Sequence, residues 1–312
     1  MTEGIAESIT AEAEQAASEA AREARAEVYE RAAKAPADTT PTPETAAEKP
    51  SRRVVRNSTS KDGWQKFVVD IWLTDLNPVE FGIYRHSRNR AKSRQFSSDM
   101  DIYAEVIENG ERTGLLGYRK ELWKDMKGMD RRLVFKLFTP SLNWRATMDL
   151  MLARSLQLTI GARGIPVTAY SINTHDDNFM IYLERSALKW PFLPEHFSFF
   201  IMSDGKPKFY RLQRAVINIG GDYTLYDEKN RAIGYVDGSI LTLAGYWRGA
   251  VRTEHADRKL MTVLKLFAGM IIFNRQARWH MWRLWHDVVD GRIEPTMERQ
   301  EGDLYKNPRR VR

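Results

Sequence analysis

Six histidines, at positions 86, 175, 196, 255, 280 and 286, are the side chains in this sequence best suited to metal or proton chemistry near neutral pH. Only His280 and His286 lie close together, at i and i+6, a spacing that points them from different faces of a helix. Cysteine is absent. That excludes disulfides, thiolate metal ligands and a cysteine nucleophile, and it fits a reducing compartment. The spacings HExxH, GxxxxGK[ST], GxSxG and GxGxxG do not occur. The densest polar cluster is Asn173-Thr174-His175-Asp176-Asp177-Asn178, followed by the apolar run FMIYLE. Asp176, Asp177 and Glu184 would do acid-base work only in a shared cleft, and no spacing joins them. A turn held by Asx hydrogen bonds accounts for the cluster. The expectation is a non-enzymatic protein with no catalytic residues, no metal and no cofactor.

The same cluster resembles the third motif of conjugative relaxases. In that motif a histidine and an aspartate precede an Asn and an H-x-H pair on a strand, and three histidines hold a metal that polarises a scissile phosphate. Here the H-x-H positions read Met180 and Tyr182, and an earlier ligand position reads Asn173. Without those imidazoles the metal cannot be held by the same ligands. The resemblance therefore implies, at most, a degenerate relaxase-like domain that binds nucleic acid.

Two groups of cations could recognise an anionic partner. Arg85, Arg88, Arg90, Lys92 and Arg94 fall within ten residues at a spacing near two, which gathers them on one face of an extended segment. Phosphate contact uses that pattern, with Tyr84 and Phe96 available for stacking. Further on, Trp279, Trp282 and Trp285 recur at i, i+3 and i+6 among Arg275, Arg278 and Arg283. Trp with Arg along one side of a helix is the composition of an interfacial helix, and also of an interface hot spot or of a core stripe. Net charge is +7 over 312 residues, yet residues 1–50 carry 11 acidic and 5 basic side chains. The remainder is thus strongly basic, which suits an anionic membrane face, an acidic protein or a nucleic acid.

The elements that must position these groups follow from periodicity. Residues 1–35 read as an exposed Ala/Glu-rich helix with little to bury, and 36–60 as a disordered Pro/Thr linker. The folded part is expected over 61–292, with a flexible tail over 293–312. WQKFVVDIWLTDL reads as a strand, and DIYAEVIENGERTGLLGYR as a hairpin turning at Asn109-Gly110. Residues 131–190 read as β-α-β-β, an α+β insertion or subdomain, with helical spacing through Met148, Leu152, Leu156 and Ile160. FSFFIMSDGKPKFYRL is a second hairpin, leading into a meander that ends near Trp247. Leu260–Phe273 is the longest apolar run. It is 14 residues long and contains Lys265, so it is too short to span a membrane and reads as a core or interfacial helix.

GGDYTLYDEKNRAIGYVDGSILTLAGYW resembles the repeated hairpin of the LURP-one-related proteins, which share a tubby-C-terminal-like fold with the phospholipid scramblases. The matching residues are Tyr223, Thr224, Tyr226, Asp227 and Glu228, then Val236, Asp237, Gly238, Leu241 and Leu243. The resemblance implies a closed antiparallel barrel threaded by a C-terminal apolar helix, and relatives that bind phosphoinositides or act at membranes. The fold class expected is α+β: a mainly antiparallel, barrel-like β domain around the Leu260–Phe273 helix. The expected partner is an anionic lipid surface or a protein, with nucleic acid as the alternative, and the expected location is cytoplasmic and peripheral to the membrane.

Overall fold

A computed structural model of the chain describes residues 63–71, 95–97, 99–175, 179–187, 194–203, 205–215, 222–238, 245–297 and 301–302. The expected N-terminal helix and linker, the Arg85–Arg94 cluster, Asp176 and Asp177 lie outside these residues. Twelve strands follow one another: β1 Trp64–Ile71, β2 Met100–Glu108, β3 Glu111–Arg119, β4 Val134–Phe138, β5 Trp144–Leu150 and β6 Ala169–Thr174. The second six are β7 Ile181–Arg185, β8 His196–Ser203, β9 Lys206–Arg214, β10 Tyr223–Asp227, β11 Ala232–Gly238 and β12 Tyr246–Arg252. Each pairs antiparallel with its sequence neighbour, and β1 pairs with β12, so the sheet closes into a barrel. Closure leaves no long open edge. Among the described residues three α-helices accompany it: α1 Lys120–Lys124, α2 Leu152–Gly161 and α3 Arg258–Val289.

Local chemistry explains most of the staves. Phe67, Val69 and Ile71 on β1, and Ala146, Met148 and Leu150 on β5, are buried at every second position, the period that turns alternate side chains to one face. The β2–β3 hairpin turns at Asn109 (φ 55°) and Gly110 (φ 79°), the paired positive values that an Asn-Gly turn supplies. Residues 131–190 contribute four consecutive staves, β4 to β7, with α2 in the β5–β6 connection. The expected helix through Met148 is corrected here. Trp144–Leu150 is a strand, and α2 begins only at Leu152. Apolar residues two apart (146, 148, 150) serve the lumen, and the coincidence of Met148 with a helical spacing beyond it misled the period.

A barrel of about eight strands is filled by its own side chains, and twelve leave more room inside. That room is occupied by α3. Leu260, Val263, Leu264, Leu266, Phe267, Ala268 and Met270 are wholly buried. Phe267 meets Phe197 of β8 and Tyr223 of β10, both at 5.1 Å between ring centroids. Phe273 meets Tyr103 of β2, Tyr118 of β3 and Phe135 of β4 at 5.0–5.5 Å. These strands lie on opposite sides of the ring, so the helix threads the lumen. Contact is close enough that a Cβ on Gly269 would stand 2.7 Å from Leu116 Cδ1 and from the Tyr103 hydroxyl. Lys265, the charge in the apolar run, reaches the rim and donates to Glu108 Oε2 at 2.8 Å. Asp257 caps the helix by accepting from the Lys259 N–H at 3.2 Å. Thirty-two residues rise about 48 Å, whereas nine strand residues span only about 30 Å. The helix therefore leaves the barrel, and its final turns form the end described next. Among the described residues no helix is long and apolar enough to cross a membrane.

Candidate functional site at the helix exit

Where α3 emerges, the lumen turns from apolar to charged. The alternation Ile181, Leu183, Arg185 on β7 carries an arginine into the interior at the last stave position. Arg185 is 5% exposed and Glu195 6%. Arg185 Nε donates a short hydrogen bond to Glu195 Oε1, and its Nη1 donates to Pro166 O at 2.7 Å. The other demands of the carboxylate are met by the Tyr223 hydroxyl, which donates to Oε2 at 2.8 Å, and by Asn274 Nδ2, which donates to Oε1 at 3.1 Å. Burial alone would raise the Glu195 carboxyl, but the Arg185 charge and these hydrogen bonds outweigh it and hold it below the ordinary range. Burial together with the Glu195 charge pushes the Tyr223 hydroxyl up.

Arg278, one turn beyond Asn274, is half-buried, and burial and the neighbouring Arg185 lower its guanidinium from the usual value. Its Nε is buried without an acceptor among the described residues. The exit thus holds two guanidiniums, Arg185 and Arg278, about one buried carboxylate. On the other flank of α3, His280 sits edge-on to Trp123 at 5.8 Å. Burial first, then Arg131 and Arg283, lower its imidazole to about 4. Arg131 stacks its guanidinium 4.1 Å from the Trp123 ring centre.

The Trp/Arg tail divides. Trp285 packs onto α2's C-terminal turn: a Cβ on Gly164 (φ +85°) would stand only 2.6 Å from its ring. Both the left-handed backbone and the missing side chain are needed there. Trp279 and Trp282 face outward, 52% and 39% exposed, with their rings 5.4 Å apart at a steep angle. Arg275 and Arg283 are exposed beside them, and His286 lies against Trp282 and Trp285. The single stripe expected from sequence is therefore an exposed pair and a docked third, because residues i and i+6 differ by about 120° around a helix. Arg278, placed by sequence with the interfacial cations, points instead toward the buried cluster.

His175, in the cluster that resembles the relaxase motif, lies edge-on to Trp144 at 6.0 Å. Met180 is buried beside Met151. Among the described residues no three His, Asp or Glu side chains gather as metal ligands. The sequence does not single out Arg185, Glu195 or Asn274, and it marks Tyr223 only as a residue of the hairpin resemblance. Asn274, the first polar residue after the apolar run, was the one available signal. Glu195 falls in an irregular connector and Arg185 ends an ordinary alternating strand. Comparison with protein-family models, with curated proteins and with solved structures finds no match to this chain.

Proposed function

We propose that this protein is a non-enzymatic binding module that meets an anionic membrane face with the end of the barrel from which α3 emerges. The observation that carries this reading is the exposed Trp279–Trp282 pair flanked by the exposed Arg275 and Arg283. Indole rings favour the headgroup depth of a bilayer, and guanidiniums beside them are drawn to anionic lipid. The strongly basic balance of the chain beyond residue 50 supports the same partner. The helix-threaded barrel also supports kinship with the tubby-like and LURP-one-related proteins, a kinship proposed on the fold and the Tyr223–Asp237 residues.

Co-sedimentation with liposomes tests the proposal. Vesicles containing anionic lipid should pellet the protein, neutral vesicles should not, and Trp279→Ser with Trp282→Ser should lower binding about tenfold. Equal binding to neutral and anionic vesicles, or binding to neither, overturns it. A steep salt dependence of DNA binding without vesicle binding would favour the nucleic-acid alternative, which rests on Arg85, Arg88, Arg90, Lys92 and Arg94.

A further inference from the structure

Among the described residues the β7–β8 ladder has the fewest register pairs in the barrel wall, and one further backbone hydrogen bond, from Ser186 N–H to His196 O at 2.9 Å, continues it. Strands β7 and β8 share only two register pairs, Glu184↔Ser198 and Arg185↔Phe197, whereas each other neighbouring pair shares at least four. Beyond Glu184 a cleft of about 920 Å³ follows this ladder. Its walls are Met151, Tyr182, Phe199, Phe200, Phe209 and Tyr210. Phe199 and Tyr210 belong to the buried face and stack at 5.5 Å, while Phe200 and Phe209, paired across β8 and β9, are 37% and 53% exposed. Two large aromatic side chains left in solvent at the lip of a cleft of ligand size suit an apolar occupant.

The polar groups of the cleft narrow its chemistry. Glu184 is engaged by Arg154 Nε at 3.3 Å. Asp227 is engaged by Arg231 Nε at 2.7 Å and by the backbone N–H groups of Lys229 and Arg231. Glu228 lies at the solvent rim. Arg211 is different. Its guanidinium lies 5.2 Å over the Tyr226 ring and donates from Nη2 to Asn230 Oδ1 at 2.6 Å, and its Nε is buried with no acceptor among the described residues. A buried N–H on a permanent cation asks for an anionic oxygen.

We propose that the β7–β8 cleft is a binding site for a long-chain monocarboxylate, with the aliphatic chain against Phe200, Phe209 and Met151 and the carboxylate on Arg211. This site lies on the barrel wall and does not depend on the Trp279–Trp282 surface.

The test uses the full chain and the fluorescent polyene acid cis-parinarate, displaced by oleate or by its uncharged methyl ester. Parinarate fluorescence should rise on binding, and oleate should displace it about tenfold better than the ester, the factor that about 1.4 kcal/mol of head-group recognition gives. Arg211→Met should erase the preference for acid over ester, and Arg211→Lys should keep part of it. Phe209→Ser should weaken both ligands, with the circular-dichroism spectrum and melting temperature unchanged. Absence of parinarate binding, equal displacement by acid and ester, or an undiminished acid preference in Arg211→Met overturns the proposal.

Discussion

Glu195 is the counter-charge for Arg185 and lies close to Arg278, so replacing it leaves the buried Arg185 guanidinium without a counter-charge. Glu195→Gln should cost about 3 kcal/mol at pH 7, read from the urea midpoint, because the penalty is that of an unpaired buried charge rather than of a surface pair. Its folded-state carboxyl lies below the ordinary 4.5. The contribution is therefore whole above pH 4.5 and is lost as pH falls through the depressed value. His280 acts in a different window. Its folded value of about 4 lies below the ordinary 6.5, so on acidification the unfolded chain takes up the proton first. Stability should fall between pH 6.5 and pH 4, by roughly 3 kcal/mol in all. His280→Leu should flatten that limb of the pH–stability curve and leave the Glu195 limb in place. Unchanged acid sensitivity in His280→Leu would show that the imidazole is not the titrating group.

Helix α2 is short, and its start is held from a distance. The Glu301 carboxylate, 6% exposed, accepts from the Ala153 N–H at 3.0 Å and from the Arg154 N–H at 2.7 Å. Two otherwise orphaned donors and the positive end of the helix are satisfied together. Glu301→Ala should cost about 1 kcal/mol and raise amide exchange in the first turn of α2. Between β1 and β12 the fit is steric. Phe67 lies over Gly249, and a Cβ there would meet its ring at 2.1 Å. Gly249→Ala should therefore lower stability by about 1–3 kcal/mol, as overpacking does when neighbours cannot give way. Thermal melts measure it, and an unchanged melting temperature would mean that the ring is free to move. Strand periodicity made most of the staves readable, although β12 runs on to Arg252, past Trp247 where the meander was expected to end. Trp144–Leu150 was read as helix because apolar residues that alternate toward a lumen ran directly into a helical spacing.

The barrel and its helix bury their apolar faces against each other in one core. Phe267→Ala, at the centre of the lumen between Phe197 and Tyr223, should cost about 3–5 kcal/mol through a cavity that a closed wall cannot collapse into. Urea unfolding followed by fluorescence and by circular dichroism should show one coincident transition. Separate transitions for helix and sheet would break the picture of a single unit.

The antiparallel fold class, the hairpin at Asn109-Gly110 and the buried C-terminal helix were legible in the order of residues, because alternation, turn chemistry and an uninterrupted apolar run are local properties. Closure of the sheet was expected only through the resemblance to the LURP-one-related hairpin and not from periodicity, while the outward facing of Trp279 and Trp282 and the docking of Trp285 on Gly164 depended on what lies across space. So did the meeting of Arg185, Glu195, Tyr223 and Asn274. Those four come from a strand end, a connector, another strand and a helix up to 89 residues apart in the sequence. Electrostatics and packing act through distance in the folded state, and only the closed barrel sets those distances.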